Sequence, residues 1–549
     1  VRPLSVTESN SAGMSRIMGT TYMDRRDLWL MGQVASQSRG ATETSRTEFD
    51  PVTGQPIKQF AFGRLSQQVG YASDGTPSTL ADALGNTTHF SAWKRGIPQQ
   101  MRFPATPDAP AGATRAVAVD DNGWITGLTD ETGATSTFEY DTMGRLRARR
   151  YPTGDTVAWN AATYTLQRTA AAQYGLPAGV WKHTRTLGAQ RTETWMDALY
   201  RPVLVTNGTN TTVDSAVVTR YDITGQTAFV SYPVRGLSTV GQALDGTATE
   251  YDAHGRPVRT TAASELWPLV STTEYIGNLQ VKTTNARGAV TTTRHRAYAD
   301  PAYDMPLVIS HPEGITTTIQ RNAFDNPTSI IRAGNGQSLN RRYVYNGYQQ
   351  LCKTIEPETG MTIQDYDAAG NLIWSASGIS STNTTACDLA TGRNSPRAVH
   401  RTYDAQNRLV SLQFKDGRGN QQWSYTPDGL PAEVTTQNDP SQLPVVNRYD
   451  YNRRRLLVSE SLESASIGAL TLGYRYDANG SLSGHTYPGG RSVGYTPDAL
   501  GRATTAGSFA TTASYHPNGA LARFLYGNGV EHTMARNQRG LPERSRDAL

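Results

Sequence analysis

The chain has 549 residues, 51 of them glycine and 28 proline, a hydrophobic fraction of 37% that already counts tyrosine, and a formal net charge of +5. A solid globule of that length needs a large dry core, and this composition is apolar-poor for one; a long curved sheet wetted on one face needs less. The positive excess is thin and dispersed, which argues against nucleic acid as a partner, and no apolar run is long enough to cross a bilayer as a helix.

In chain order, residues 1–45 carry no clear repeat, although Asp27-Leu-Trp29-Leu-Met31-Gly reads as a strand, and we expect divergent N-terminal strands of a sheet that continues beyond them. From residue 46 to 549 one phrase returns: tyrosine, aspartate, two variable residues, glycine, a polar residue, often leucine. It stands as Tyr140-Asp141-Thr-Met-Gly144-Arg145-Leu146, Tyr251-Asp252-Ala-His-Gly255-Arg256, Tyr366-Asp367-Ala-Ala-Gly370-Asn371-Leu372 and Tyr476-Asp477-Ala-Asn-Gly480-Ser481-Leu482. Tyr403-Asp404-Ala-Gln-Asn407-Arg408-Leu409 puts asparagine, the next best residue for the left-handed conformation, at the glycine position. Tyr495-Thr-Pro-Asp498-Ala-Leu-Gly501-Arg502 separates the turn from its tyrosine, Asp197-Ala-Leu-Tyr200-Arg201 loses the glycine, and around Tyr449-Asp450-Tyr451-Asn452-Arg453 the register stays open.

The phrase has a mechanical reading. Aspartate at the first corner of a type I turn accepts a hydrogen bond from the backbone N–H two residues on, and the fourth position takes positive φ. The product is a three-residue hairpin closed by a bulge. Asp252 and Arg256 then flank the turn as an ion pair, and one residue further out Tyr140 faces Leu146 and Tyr366 faces Leu372 across the strands. Pro- and Gly-bearing half-units at 152–154, 312–314, 357–360 and 488–490 supply the alternate turns, so hairpins succeed one another at about 20 residues. Propeller blades need longer and more even spacing. The expected fold is all-β, a long strip of antiparallel hairpins, with 104–114 a loop between units and 375–400 the longest insertion.

No catalytic, metal or cofactor constellation stands out. The histidines are scattered without ligand spacing; His254 lies in a turn, and His516 and His532 lack an evident cysteine or serine partner. Gly334-Asn-Gly336 and Gly417-Arg-Gly419-Asn read as hairpin tips rather than phosphate loops. Cys352 and Cys387 leave two readings, buried free thiols first and a single disulfide across the intervening loop second. Of the 52 basic residues six are lysine; arginine suits planar pairing with aspartate and stacking on tyrosine, and the run Arg453-Arg454-Arg455 reads as a solvated strand edge. Asn86-Thr-Thr and Asn383-Thr-Thr fit a glycosylation pattern that is common by chance.

The repeated phrase resembles the signature of the rearrangement-hotspot (Rhs) or YD-repeat proteins, with copies from Phe49-Asp50 to the region of Tyr515 and Gly519. Leu351-Cys352-Lys-Thr-Ile-Glu356-Pro357-Glu358-Thr-Gly360 and Tyr526-Gly527-Asn528-Gly529 look like the bacterial branch. The resemblance implies a hollow shell enclosing a toxic C-terminal domain of the same protein until delivery. It also implies a bacterial product made in the cytoplasm and exported or displayed at the surface, in some members on a type VI secretion spike or adaptor. A related barrel in the teneurins implies the alternative, an adhesive or carbohydrate-binding surface. The family's aspartyl self-cleavage segment, Asp-Pro-x-Gly, is not matched: Asp50-Pro51-Val-Thr-Gly54 has glycine one place late, and Asp300-Pro301 and Asp439-Pro440 have none in place. The expectation is shell material alone, not an enzyme, incomplete at both ends and without its toxin domain.

Overall fold

The computed structural model describes residues 2–549, which form 44 strands, one 3-10 turn (Arg26–Leu28) and one α-helix (Leu389–Asn394). Forty strands hydrogen-bond into one long sheet that does not close, and the last four, from Ala510–Tyr515 to Pro542–Ala548, into another. Neighbours in the chain pair antiparallel, as in Thr135–Tyr140 with Leu146–Arg150 and Gly360–Tyr366 with Leu372–Ile379. The N-terminal residues join the same meander: Ser5–Ser9 pairs with Ser15–Arg25, and Thr42–Phe49 runs straight through the boundary placed at residue 45. No helix among the described residues is long and apolar enough to cross a membrane.

The turn chemistry is what the phrase predicts. In the 141–145 turn Asp141 Oδ1 accepts from the Met143 and Arg145 amides at 2.9 and 3.0 Å, Oδ2 accepts from Arg145 Nε at 2.7 Å, and Gly144 sits at φ 78°. Tyr140 then lies opposite Leu146 just past a register shift, as Tyr366 does with Leu372, Tyr403 with Leu409 and Tyr476 with Leu482. The geometry survives without glycine, since Tyr200 takes φ 61° while Asp197 still caps its turn and pairs with Arg201. The open register near 450 is settled by Asn452, whose side-chain oxygen receives the Arg454 and Leu456 amides, with Arg455 at φ 65°. Gly334 to Gln337 and 414 to 420 are hairpin tips as read.

The chain divides into two compact units, each built from an early and a late segment: unit 1 is Val1–Ala116 with Glu274–Val446, and unit 2 is Val117–Thr273 with Asn447–Leu549. The boundaries fall inside strands Thr114–Val119, Leu269–Ile276 and Val445–Tyr451.

In unit 1 the apolar cluster is Met361, Ile363, Trp374, Ala376, Ile379 and Ala398, covered by the insertion that carries Leu389–Asn394. The helix lies so close that a Cβ on Gly392 would stand 2.8 Å from both Ile363 and Trp374. The free-thiol reading is corrected here: Cys352 and Cys387 are bonded, S–S 2.01 Å, because the insertion folds back over the strand Leu351–Glu356. Beside the disulfide, Lys353 is wholly buried and donates to Asn383 O at 2.7 Å, with Asp388 3.5 Å away as its counter-charge.

In unit 2 the cluster is Trp195, Leu204, Ala216, Val218 and Leu237. Two loops, 169–180 and 232–245, cover it through Tyr174, Leu176, Val234, Val240 and Leu244. They are held by hydrogen bonds, Val240 N to Tyr174 O at 2.9 Å, a reciprocal backbone pair between Ala216 and Val234, and Arg220, which donates to the Val240 and Gln242 carbonyls at 3.0 and 2.6 Å. Lys182, also buried, donates to Glu193 at 2.8 Å and lies over the Trp195 ring.

Candidate functional site: the repeat turn and its seams

The predicted aspartates, glycines, Asn407 and arginines lie in turns and their tyrosines end the strands that lead into them, and the turns are spread along the strip rather than converging on one cleft. Besides those at Asp141 and Asp197, full Asp–Arg turns occur at Asp252 with Arg256, Asp404 with Arg408 and Asp498 with Arg502, each with the arginine Nε 2.7 or 2.8 Å from the carboxylate. The Arg256 side chain, and after it the Arg256 backbone amide, hold the Asp252 carboxyl at about 2, well below its ordinary value. Asp367 pairs with Asn371, and Asp477 accepts the Asn479 and Ser481 amides, so a polar fifth residue replaces arginine without loss of the turn.

The sequence reading missed what the tyrosine does. It saw only the cross-strand partner, whereas each phenol also donates to the carbonyl just after the preceding turn. Tyr140 reaches Ile125 O, Tyr251 reaches Thr227 O, Tyr366 reaches Leu351 O, Tyr403 reaches Leu372 O and Tyr476 reaches Leu457 O, all at 2.7 to 3.0 Å. Tyr71, Tyr221, Tyr345, Tyr425 and Tyr515 make the same bond from turns or registers not singled out. Where the preceding turn ends in arginine, its guanidinium stacks on that ring, as Arg201 on Tyr221, Arg408 on Tyr425 and Arg502 on Tyr515 at 4.3 to 4.7 Å. Burial raises the phenols of Tyr140, Tyr366, Tyr403, Tyr425, Tyr476 and Tyr515 above their ordinary value, which keeps them protonated donors. The signal lay in the recurrence of tyrosine where phenylalanine would serve a purely apolar pair. Asn322, Asn346 and Thr426 also open turns that the aspartate pattern passed over.

The second feature is lateral. Within unit 1 the late turns dock on hairpin edges of the early segment. Arg39 donates to Asp325, Phe62 meets Phe324 edge-on, Arg64 stacks on Tyr348, Asn407 donates to Asp82, and Asp108 accepts the Tyr425 amide. The hydrogen-bonded partners are 284 to 325 residues apart and advance together along both segments. Within unit 2 Arg453 meets Asp155 and Thr153, Asn479 meets Asn160, Arg235 meets Tyr515 O, and Arg539 meets Glu265, at separations of 274 to 319. The arginine run is thus corrected: Arg453 and Arg454 belong to a docking turn, Arg454 lying over Tyr151 and Trp159, and burial lowers its pKa. Position three of the turn recurs in these seams, as Phe324, Tyr348, Gln406, Arg454, Asn479 and Arg539.

No cluster of three or more His, Cys, Asp or Glu among the described residues could hold a metal ion. His516 meets Met534 O, His532 meets Asp547, and His254 is an exposed turn residue. A cavity of about 770 Å³ in unit 2 is lined by seam residues including Asp214, Arg235, Asp498, Arg502 and Tyr515.

These features define a β-hairpin repeat protein whose repeat unit is tied to its neighbour by the tyrosine. The RHS Repeat family matches residues 119–156, which hold the turns at Asp120, Asp130 and Asp141. Among solved structures, the Photorhabdus luminescens Tc holotoxin pore with a point-mutated TccC3 is similar over 98% of this chain, with TM-score 0.53 and 14% identity. This chain spans 29% of that one. The crystal structure of TcdB2-TccC3 aligns with 98% of this chain and 42% of that one at TM-score 0.34 and 12% identity. No curated protein matches in sequence. Rhs-repeat sequence is thus matched at residues 119–156, and the same turn chemistry recurs along the rest of the chain.

Proposed function

We propose that this chain is wall material of an encapsulating shell, which keeps a toxin or effector domain of the same protein from its target and from proteases until delivery. The observation that carries the reading is the seam within each unit: a polar hairpin strip whose turns dock on a strip about 300 residues earlier, with both segments running on in step. A strip that lies beside itself in this way builds a wall with few free edges, and its backbone bonds are met strand to strand without a large dry core. The fold shared with a chain of a Tc holotoxin pore supports the same reading. The role is containment without catalysis; no cofactor or nucleic acid takes part. The carrier is a bacterial protein exported or displayed at the surface, and a secretion spike or adaptor such as that of type VI systems is the expected vehicle. Small-angle scattering and electron microscopy of the purified chain test it: a central void is expected, and a filled particle would sink the proposal.

A second reading, a glycan-binding surface, has one observation in its favour. Tyr487, Pro488, Arg491, Tyr495 and Phe509 line an apolar pocket of about 560 Å³ in unit 2, with Arg491 over the Phe509 ring at 4.5 Å. Rings of this kind stack on sugars. Binding on a glycan array that Phe509→Ala abolishes would favour it.

A further inference from the structure

Turns alternate between the two edges of an antiparallel strip, so each segment of unit 2 has one edge bearing the repeat turns and one bearing the shorter turns between them. In the late segment the repeat-turn edge is docked: Arg454, Asn479 and Arg539, all at position three, meet the short-turn edge of the early segment. The early segment has the same kind of repeat-turn edge, and there, beside the polar tips Asn122, Thr224 and His254, four tip residues are apolar or aromatic and bare. Met143 and Leu199 at position three are 76% and 71% exposed, Tyr200 is 55% exposed, and Ile223 at position two is fully exposed. The short-turn edge of the late segment is bare as well and also apolar, with Ile467 at 55% exposure and Leu470, Tyr487 and Tyr526 near 40%.

We propose that these two edges are complementary docking surfaces, and that the occupant of the Met143, Leu199, Tyr200 and Ile223 row is the Ile467, Leu470, Tyr487 and Tyr526 edge of a second copy of this chain. The contact continues the interface already formed within the unit, with the same edge types meeting in the same sense, and exchanges its polar pairs for apolar ones. Scattered apolar residues on a surface need no explanation, but Met143 and Leu199 stand at the turn position that docks elsewhere, with Tyr200 and Ile223 next to that position in their own turns, and that placement does. Because the two edges differ, the contact is heterologous, head to tail, and does not saturate at a dimer. The proposal goes beyond the shell reading and does not depend on a void.

Sedimentation velocity and light scattering of the whole chain, up to about 100 µM to cover micromolar affinities, test it. Wild type is expected to grow in mass with concentration beyond a dimer. Met143→Asp/Leu199→Asp/Ile223→Asp removes one edge and Ile467→Asp/Leu470→Asp the other; each variant alone is expected to be monomeric with an unchanged melting temperature. An equimolar mixture of the two is expected to form dimers and stop there, because each retains one good edge. If the triple variant melts early, Leu199→Arg alone replaces it. A monomeric wild type at the highest concentration, assembly unaffected by either variant, or a mixture that stays monomeric would each overturn the proposal.

Discussion

In unit 1 the residues around Trp374 are covered by an insertion that is stapled by a disulfide and pinned by Lys353, whereas in unit 2 those around Trp195 are covered by two loops held by hydrogen bonds, Arg220 among the donors, with no covalent tie. Both clusters sit on sheets otherwise rich in threonine, serine and arginine, and in both a lysine is buried beside the tryptophan-bearing strands. The lysines differ in their company. Lys353 faces two backbone carbonyls and Asp388, whereas Lys182 shares Glu193 with Arg191. A hairpin strip too polar to bury its own face can thus be closed over by an extra segment, and the segment can be fastened covalently or by hydrogen bonds alone. The covalent route suits a lid that has one helical turn and few apolar side chains to offer.

The largest effect expected is loss of either tryptophan. Trp374→Ala and Trp195→Ala should each cost about 3–5 kcal/mol, with the loss of amide-exchange protection confined to the mutated unit. Equal loss in both units would break the comparison. Next comes the staple. Closing a loop of this length contributes on the order of 4 kcal/mol, so reduction, or Cys352→Ser with Cys387→Ser, should open the insertion and lower the melting of unit 1 while leaving unit 2 unmoved. The buried lysines sharpen the contrast. Lys353→Met strands two carbonyls and should cost about 1–3 kcal/mol, whereas Lys182→Met leaves Glu193 paired with Arg191 and should cost less; chemical denaturation of the two variants compares them.

Smaller effects are expected in the elements the units share. Tyr403→Phe removes one bond between repeats and should cost about 1 kcal/mol, read in urea unfolding. Because burial raises these phenols, their contribution is intact below their ordinary value of 10.0 and is lost as pH rises through the raised one. Asp252 has the opposite sign: held at about 2 against an ordinary 3.8, it stabilises the fold above 3.8, and that contribution fades as pH falls through about 2. Asp252→Asn should flatten the acid limb of the stability profile only slightly, since one turn among many is affected.

Much of this was legible because the repeat turn is local. Asp141, Gly144 and Arg145 lie within five residues, so the caps, the positive φ and the ion pair follow from their spacing. Turns led by Asn322, Asn346 and Thr426 escaped because those side chains serve the same acceptor role under a different letter. The tyrosine bonds escaped because their acceptors are backbone carbonyls 12 to 31 residues away, and a carbonyl carries no mark in the sequence. Arg454 was misread because a run of arginines looks solvated until the Tyr151 and Trp159 rings are brought to it from some 300 residues upstream.

Two levels of information therefore separate. Periodic turn chemistry acts through bonds between residues close in the chain, and by itself it determined an all-β strip of hairpins and the positions of its tips. That the cysteines meet depends on an insertion folding back across 35 residues, and which turns dock and which edges stay bare depend on how the strip comes to lie against segments 270 to 325 residues away. Those contacts are few, sideways and largely polar, too weak to leave a pattern in any one stretch of sequence, and only the packed chain decides them.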